Sequence, residues 1–258
     1  LLAAEMVMSG AVRAVHNAGG GTHHALAGQA AGFCFLNEPV LTILHLQRLG
    51  ARRVVYVDID AHHGDGVELA FHGAEDVRVI SVHEDRRWPF TGALEDEGGG
   101  AAFNLPVPRG FNDTEFACVL DEMILPAVAA FRPDAVFLQC GADALTEDPL
   151  SRLELSNNSH LRAVRALFDL APRLVTSGGG GYNPWSVARC WAGVWAMLSG
   201  QELPDELTQE ARALLAGLTW SRKGRPGPEL LTTLRDAPRE GPIRDEIRAG
   251  VAHLKRRL

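Results

Sequence analysis

The chain has 258 residues, 46% of them apolar and 22% charged, the balance of a globular protein with one large domain or two small ones. Its 25 basic and 32 acidic residues leave a formal charge of −7, which argues against direct nucleic-acid binding by phosphate neutralisation and suits cationic partners. No uninterrupted apolar run approaches the roughly 18 residues of a membrane-spanning helix, so no membrane association is expected.

In chain order, LLAAEMVMSGAVRAV carries Glu5 inside an apolar run and has no basic leader; it reads as an amphipathic helix, not a signal peptide. Strand-like runs rich in Val and Ile follow at RRVVYVDID (52–60), VRVISV (77–82), AVFLQC (135–140) and RLVTSG (173–178). Helical spacing covers about 37–49, 112–131, 156–170 and 184–199, the second opened by Asn112 or Asp113 as a cap. Glycine clusters at 19–21, 98–100 and 178–181 are loops, and no period of about 20 to 50 residues repeats. This alternation predicts an α/β fold, three layers with a central parallel sheet flanked by helices, and ligands at the carboxyl edge of the strands. Beyond Gly200 the composition shifts to Glu, Arg and Pro, with SRKGRPGP (221–228) as a turn-rich connector and RDEIRAGVAHLKRRL as a charged helical end. Residues 1–200 are therefore expected to form the main domain, and residues 201–258 a charged helical extension lying on the surface. Cys34, Cys118, Cys140 and Cys190 show no CxxC pairing, which suits buried thiols in a reducing, cytoplasmic compartment.

The densest chemistry is VDIDAHHGDG, where Asp58, Asp60, His62, His63 and Asp65 sit at or just past a buried strand end. Alternation would turn Asp58, Asp60 and His62 to one side while the chain stays extended. So many ionisable groups at a strand end need matched charge, and a divalent cation supplies it; an Asp–His hydrogen-bonded network without metal is the other reading. Catalytic zinc takes three protein ligands, and Asp143, directly after AVFLQC at the same sheet edge, offers the third beside Asp60 and His62. His23 and His24 follow a glycine loop without HExxH spacing, and read as acid/base groups oriented by Asp58 or Asp65, or else as exposed loop histidines. Tyr182, after SGGGG, can donate to a developing oxyanion or pack as a core tyrosine at a tight turn. Neither a GxSxG elbow nor an activating pattern around Cys34 is present, so metal-activated water is the expected nucleophile.

Taken together, GGTHHA, AGFCFLNEP, YVDIDAHHGDGVE, SVHED, CGADAL with DPLSRLELS, and SGGGGYNP resemble, in order and spacing, the histone deacetylase family, including its bacterial deacetylase-like and acetoin-utilisation members. The resemblance covers roughly residues 1–200. It implies the arginase–deacetylase fold with an eight-stranded parallel sheet, and hydrolysis of acetyl-lysine or a related acylated amine. It implies zinc on Asp60, His62 and Asp143, with Fe(II) compatible with the same donors. His24 would be general base and acid, held by Asp65, and His23 its electrostatic neighbour, held by Asp58. Tyr182 would polarise the scissile carbonyl; Gly32, Phe33 and Gly180 would line the substrate tube, with Trp88 of WPFTG as the opposite wall. Structural K+ or Na+ sites are implied at Asp58, Asp60, His62, Ser81 and Val82, and at the carbonyls of Phe71, Ala74 and Val77. In the family, the domain begins upstream of the helix that opens this chain, with its first strands and a rim loop whose acidic residue grips the substrate backbone; the resemblance implies that these are lacking here. A non-catalytic acyl-lysine binding module and a deacetylase of acetylpolyamines are the alternative readings of the same pocket. An arginase-type hydrolase would need carboxylate ligands for a second metal that the sequence does not supply.

Overall fold

A computed structural model describes residues 1–222 and 225–258, so Lys223 and Gly224 of the SRKGRPGP stretch lie outside the described residues. The elements are α1 (Leu2–Met8), β1 (Ala14–Asn17), α2 (Glu38–Arg48), β2 (Val54–Asp58), α3 (Asp65–Ala70), β3 (Val77–Glu84), β4 (Ala102–Val107), α4 (Asp113–Val119), α5 (Leu125–Phe131), β5 (Ala135–Gln139), α6 (Asn157–Leu170), β6 (Leu174–Ser177), α7 (Pro184–Leu198), α8 (Gln209–Ala216), α9 (Glu229–Thr232) and α10 (Asp245–Lys255). A π-helical turn over Leu120–Ile124 joins α4 to α5, so the helix expected at 112–131 is continuous with one widened turn. The start of α4 is a capping box: Asn112 Oδ1 accepts from the amides of Thr114 and Glu115, and Glu115 reaches back to the Asn112 amide.

All six strands are parallel, in the order β1-β6-β5-β2-β3-β4. Side-chain alternation divides the core between the two faces. Val54, Tyr56, Val77, Val79, Phe137 and Val175 pack under α1, α2 and α3. Val55, Val57, Ile80, Val136 and Leu138 pack under the helices that follow β4. No helix among the described residues is long and apolar enough to cross a membrane.

Four expectations need correction. The opening segment is not one helix: α1 stops at Met8, Gly10 takes a positive φ of 77°, and the chain re-enters the sheet as β1. A second strand, β4, joins the sheet edge although its sequence contains Asn104 and Pro106; a missing amide is tolerated there because an edge strand has only one neighbour. Among the described residues the sheet has six strands where the family resemblance implied eight, and beside its β4 edge Arg257 of the C-terminal turn donates to the Ala102 carbonyl. Finally, the helical end of the chain, expected to lie on the surface, is packed into the domain. Ile247, Val251 and Leu254 of α10 are buried in the same core as the sheet, because the apolar positions of this charged helix fall on one face.

Charge pairs also tie the C-terminal segment to the rest of the domain. Arg244 forks onto Glu115, which is fully buried, at 2.7 and 2.6 Å. Arg189 on α7, itself buried, meets Asp236 at 2.5 Å and donates to the Thr233 carbonyl. Removing one partner of such a pair leaves an uncompensated buried charge. Asp236→Ala is therefore expected to lower unfolding stability by about 3 kcal/mol, with Asp236→Ala/Arg189→Met recovering much of it. Urea unfolding of the two variants checks this, and an unchanged midpoint for Asp236→Ala would contradict it.

Candidate active site

The strands end together. Asp58 closes β2 opposite Ser81 of β3 and Gln139 of β5, so the loops leaving β2 and β5 emerge side by side at the carboxyl edge. The first does not stay extended, as the sequence suggested, but folds through successive side-chain turns: Asp58 Oδ1 accepts from the Asp60 amide and Asp60 Oδ1 from the His62 amide. These turns still aim Asp60 and His62 at Asp143 of the neighbouring loop.

His62 Nδ1 lies 3.2 Å from Asp60 Oδ1 and 2.9 Å from Asp143 Oδ2. One ligand atom from each of these three buried residues falls within 4.8 Å of the others. One imidazole nitrogen and two carboxylate oxygens at this spacing suit a divalent ion about 2 Å from each, with a coordination position left over. The surroundings fit as well. A Cβ at Gly141 would collide with Asp60 Oδ2, and one at Gly180 with Asp143 Oδ2, so glycine is what lets the backbone close around the two carboxylates. Their outer oxygens are held by the amides of Gly180 and Ala61 and by Gln139 Nε2, while Gln139 Oε1 accepts from the Gly141 amide.

Two histidine–carboxylate pairs lie alongside. His23 Nδ1 is 2.7 Å from Asp58 Oδ2, and His24 Nδ1 is 2.7 Å from Asp65 Oδ1, with the two rings 3.9 Å apart. Burial favours the neutral form of both. Against it, the Asp58 and Asp60 carboxylates push His23 up to about 9, whereas His24, buried and beside the cationic His23, is lowered. Burial would also lower His62, but its hydrogen bonds to Asp143 and Asp60 push it up to about 11; Asp143 in turn is raised to about 7 by burial and by Asp60.

A cavity of about 330 Å³ leads inward past Gly32, Phe33, Arg87, Trp88, Leu150 and Tyr182 to His24 and His62, and an adjoining one reaches Asp60, Asp143 and Gly180. Trp88 stands edge-on to His24 at 4.6 Å. Tyr182 faces Phe33 at 6.0 Å, and its amide donates to the buried Asp148. Phe33 projects into solvent at a positive φ of 64°, a conformation rarely adopted away from glycine. Trp88's loop is pinned from below: His63 bridges Glu68 to Thr91, and His83 donates to the Gly92 carbonyl.

The structure therefore gathers His23, His24, Asp58, Asp60, His62, Asp65, Asp143, Gly180 and Tyr182 around one centre, with Gly32, Phe33 and Trp88 at its mouth. Sequence reasoning missed Tyr56, whose hydroxyl donates to Asp58, together with Gln139, Asp148, Leu150 and Arg87. Gln139 had a signal, being polar inside an otherwise apolar buried strand. Arg87 had none, because an arginine in a loop ordinarily faces solvent.

A profile of the histone deacetylase domain matches residues 1–198. The chain belongs to the histone deacetylase family. Acetoin utilization protein AcuC of Bacillus subtilis is 36% identical over 222 residues, covering 81% of this chain and 57% of that protein. Histone deacetylase 6 of Arabidopsis thaliana is 38% identical over 229 residues, covering 86% of this chain and 48% of that protein. The chain thus spans about half the length of these two relatives. A crystal structure of an HDAC homolog from Aquifex aeolicus superposes with a TM-score of 0.86 at 38% identity, over 93% of this chain and 67% of that one. An HDAC homolog complexed with SAHA gives 0.87 at 37% identity, with the same coverage. The architecture is the arginase–deacetylase fold of this histone deacetylase family.

The charge state of the triad has a measurable consequence. His62 must give up its proton before Nδ1 can face a cation. Loading metal-stripped protein with Zn(II) is thus expected to release about one proton above pH 7, and more below it as Asp143 also protonates. Affinity should rise with pH by about tenfold per unit for each proton released. Calorimetry in buffers of different ionisation enthalpy measures this, and affinity independent of pH would refute it. Gly180→Ala is expected to abolish stoichiometric binding while the fold, followed by circular dichroism, persists.

Proposed function

We propose that this chain is a metal-dependent deacetylase that hydrolyses the amide of acetyl-lysine or a related acylated amine. The observation carrying this reading is the convergence of Asp60, His62 and Asp143 with the His23–Asp58 and His24–Asp65 pairs at the foot of a cavity walled by Phe33, Trp88, Leu150 and Tyr182. Asp60, His62 and Asp143 would hold zinc, the same donors also accepting Fe(II). Such an ion, when bound, would polarise the amide carbonyl and acidify a water beside it.

The remaining work falls to the chain's own groups. His24 is neutral at physiological pH and fixed by Asp65 at Nδ1, which leaves Nε2 free to take the water's proton as oxygen attacks the carbonyl carbon. His23, cationic beside Asp58, would stabilise the negative charge that develops. Tyr182 would donate to the carbonyl oxygen, a bond that strengthens as that oxygen gains charge. When the C–N bond breaks, the proton held on His24 passes to the departing amine, leaving acetate and the free amine. Gly32, Phe33, Trp88 and Leu150 fit the methylenes of the amine and keep bulk water out. Asp58, Asp60, His62, Ser81 and Val82, and the carbonyls of Phe71, Ala74 and Val77, are our candidates for K+ or Na+ sites supporting the loops below. Four free cysteines and the AcuC relative support a cytoplasmic setting.

Zinc-reconstituted protein is expected to release acetate from an acetyl-lysine peptide, and His24→Ala to abolish that release. Folded protein that holds one zinc but turns nothing over would favour the binding-module reading. Tyr182→Phe is expected to lose most turnover while keeping hydroxamate affinity within about tenfold, because the hydroxyl acts chiefly in the transition state. Equal losses of both would remove Tyr182 from that role. Asp60→Ala is expected to lose stoichiometric zinc, as metal analysis would report.

A further inference from the structure

One permanently charged side chain stands at the mouth of the cavity among apolar and aromatic walls. Arg87 lines it together with Phe33, Trp88 and Leu150, and the same side chain lines a neighbouring groove of about 610 Å³ formed with Glu84, Asp85, Arg86, Pro108 and Arg109. The guanidinium is held in place and does not sweep through solvent. Its Nε and Nη2 donate to the two oxygens of Glu84 at 2.9 and 2.6 Å. Glu84, only 4% exposed, is itself fixed, accepting the Arg152 amide at 2.8 Å while its own amide donates to the Ala61 carbonyl. Among the described residues Nη1 has no protein partner, so a pre-oriented donor pair is left over at the mouth.

The charge around it is biased the same way. The groove brings three arginines against two carboxylates, one of which is the buried Glu84 already committed to Arg87. Arg86, 91% exposed in its side chain, sits on left-handed backbone with a φ of 55° and pairs through Nε with Asp85 Oδ2 at 3.4 Å, so both carboxylates of the groove are met by an arginine and Arg109 is the third. On a chain with a formal charge of −7, three arginines against two carboxylates leave this groove one net positive charge, beside the place where the part of a substrate left outside the cavity would lie.

We propose that the mouth selects acylated amines that carry a carboxylate beyond the alkyl chain, received by Arg87 with Arg109, and disfavours acylpolyamines and polybasic peptides. The selection rests on the deacetylase reading above and narrows it. A carboxylate there completes the Arg87 fork, whereas an ammonium meets a fixed like charge close to the low-dielectric wall formed by Trp88 and Leu150. This reverses what the overall charge suggested, namely attraction of basic peptides. Whether the carboxylate is the α-carboxylate of a free N-acyl amino acid or an acidic side chain beside an acyl-lysine is a question for the substrate arms of the test.

Three linear hydroxamates with the same chain and a carboxylate, an uncharged amide or an ammonium at the far end would be titrated calorimetrically into the zinc-loaded protein. The expected result is about tenfold tighter binding of the carboxylate over the ammonium at about 20 mM salt, shrinking to about twofold at about 0.5 M. Arg87→Met should bring the ratio within about twofold while leaving the uncharged compound within about twofold of wild type. Since Arg87→Met strands Glu84, Arg87→Met/Glu84→Gln and Arg109→Gln are measured beside it, the double variant to match Arg87→Met and Arg109→Gln to lose part of the preference. Equal affinities, or preference for the ammonium, in wild-type protein that binds the uncharged compound would overturn this selection alone. Failure of all three compounds to bind would overturn the metal-site reading and this selection with it. In the activity arm, kcat/KM is compared for Nα-acetyl-Nε-acetyl-lysine against its C-terminal amide, and for a Glu-flanked against a Lys-flanked acetyl-lysine peptide. A gain confined to the free acid assigns the α-carboxylate, a gain confined to the Glu-flanked peptide assigns the acidic side chain, and no gain in either overturns the proposal.

Discussion

Two carboxylates buried in one pocket, Asp60 and Asp143, set the terms for everything around them. The register of a parallel sheet brings them together, since the loops leaving β2 and β5 start level and can only meet. Negative charge gathered there is tolerable only when it is met, and the chain meets it on every side. His62 faces both carboxylates, two backbone amides and the Gln139 amide cover the outer oxygens, and glycines allow the main chain close enough to do so. The site is thus an answer to a charge problem posed by the fold, and a cation is its natural completion.

The same environment separates two adjacent histidines. His23 lies deeper, shares its carboxylate with the Tyr56 hydroxyl and has Asp60 within 3.8 Å, so it holds its proton. His24 is one residue closer to the mouth; burial and the charge of His23 outweigh its own carboxylate, Asp65, and lower its pKa. One tandem pair thereby divides into a charged and a neutral imidazole, a division that isolated imidazoles with equal pKa values could not make.

Much of this was legible in the sequence because short, dense motifs carry it. DIDAHHGD and CGAD put ionisable groups directly after Val-rich runs, and strand ends in parallel sheets are where ligands sit. The long helices were readable for the usual reason of periodicity, with Asn112 and Ser156 marking starts that the structure keeps. What was hidden depends on contacts remote in sequence. Strand β1 is four residues with a histidine in the middle, made a strand only by pairing with β6. Tyr56 reads as one more apolar strand residue until its hydroxyl is found on Asp58. Arg87 becomes informative only once Glu84 is seen to be buried beneath it. Charged residues near the C-terminus suggested solvent, because composition cannot distinguish an exposed arginine from one with a buried partner waiting elsewhere in the chain.

That last point bears on how the chain can change over generations. The family match ends at residue 198, yet Glu115 and Arg189, both inside it, have their charges met by Arg244 and Asp236 beyond it. The two halves of each pair are tied as heritable units. A descendant that lost or replaced the C-terminal segment could keep neither Glu115 nor Arg189 as it stands, and apolar substitutions at those two positions would have to travel with the loss. Descendants that keep the segment are held to Asp236, Arg244 and the inward face of α10 by the same partners.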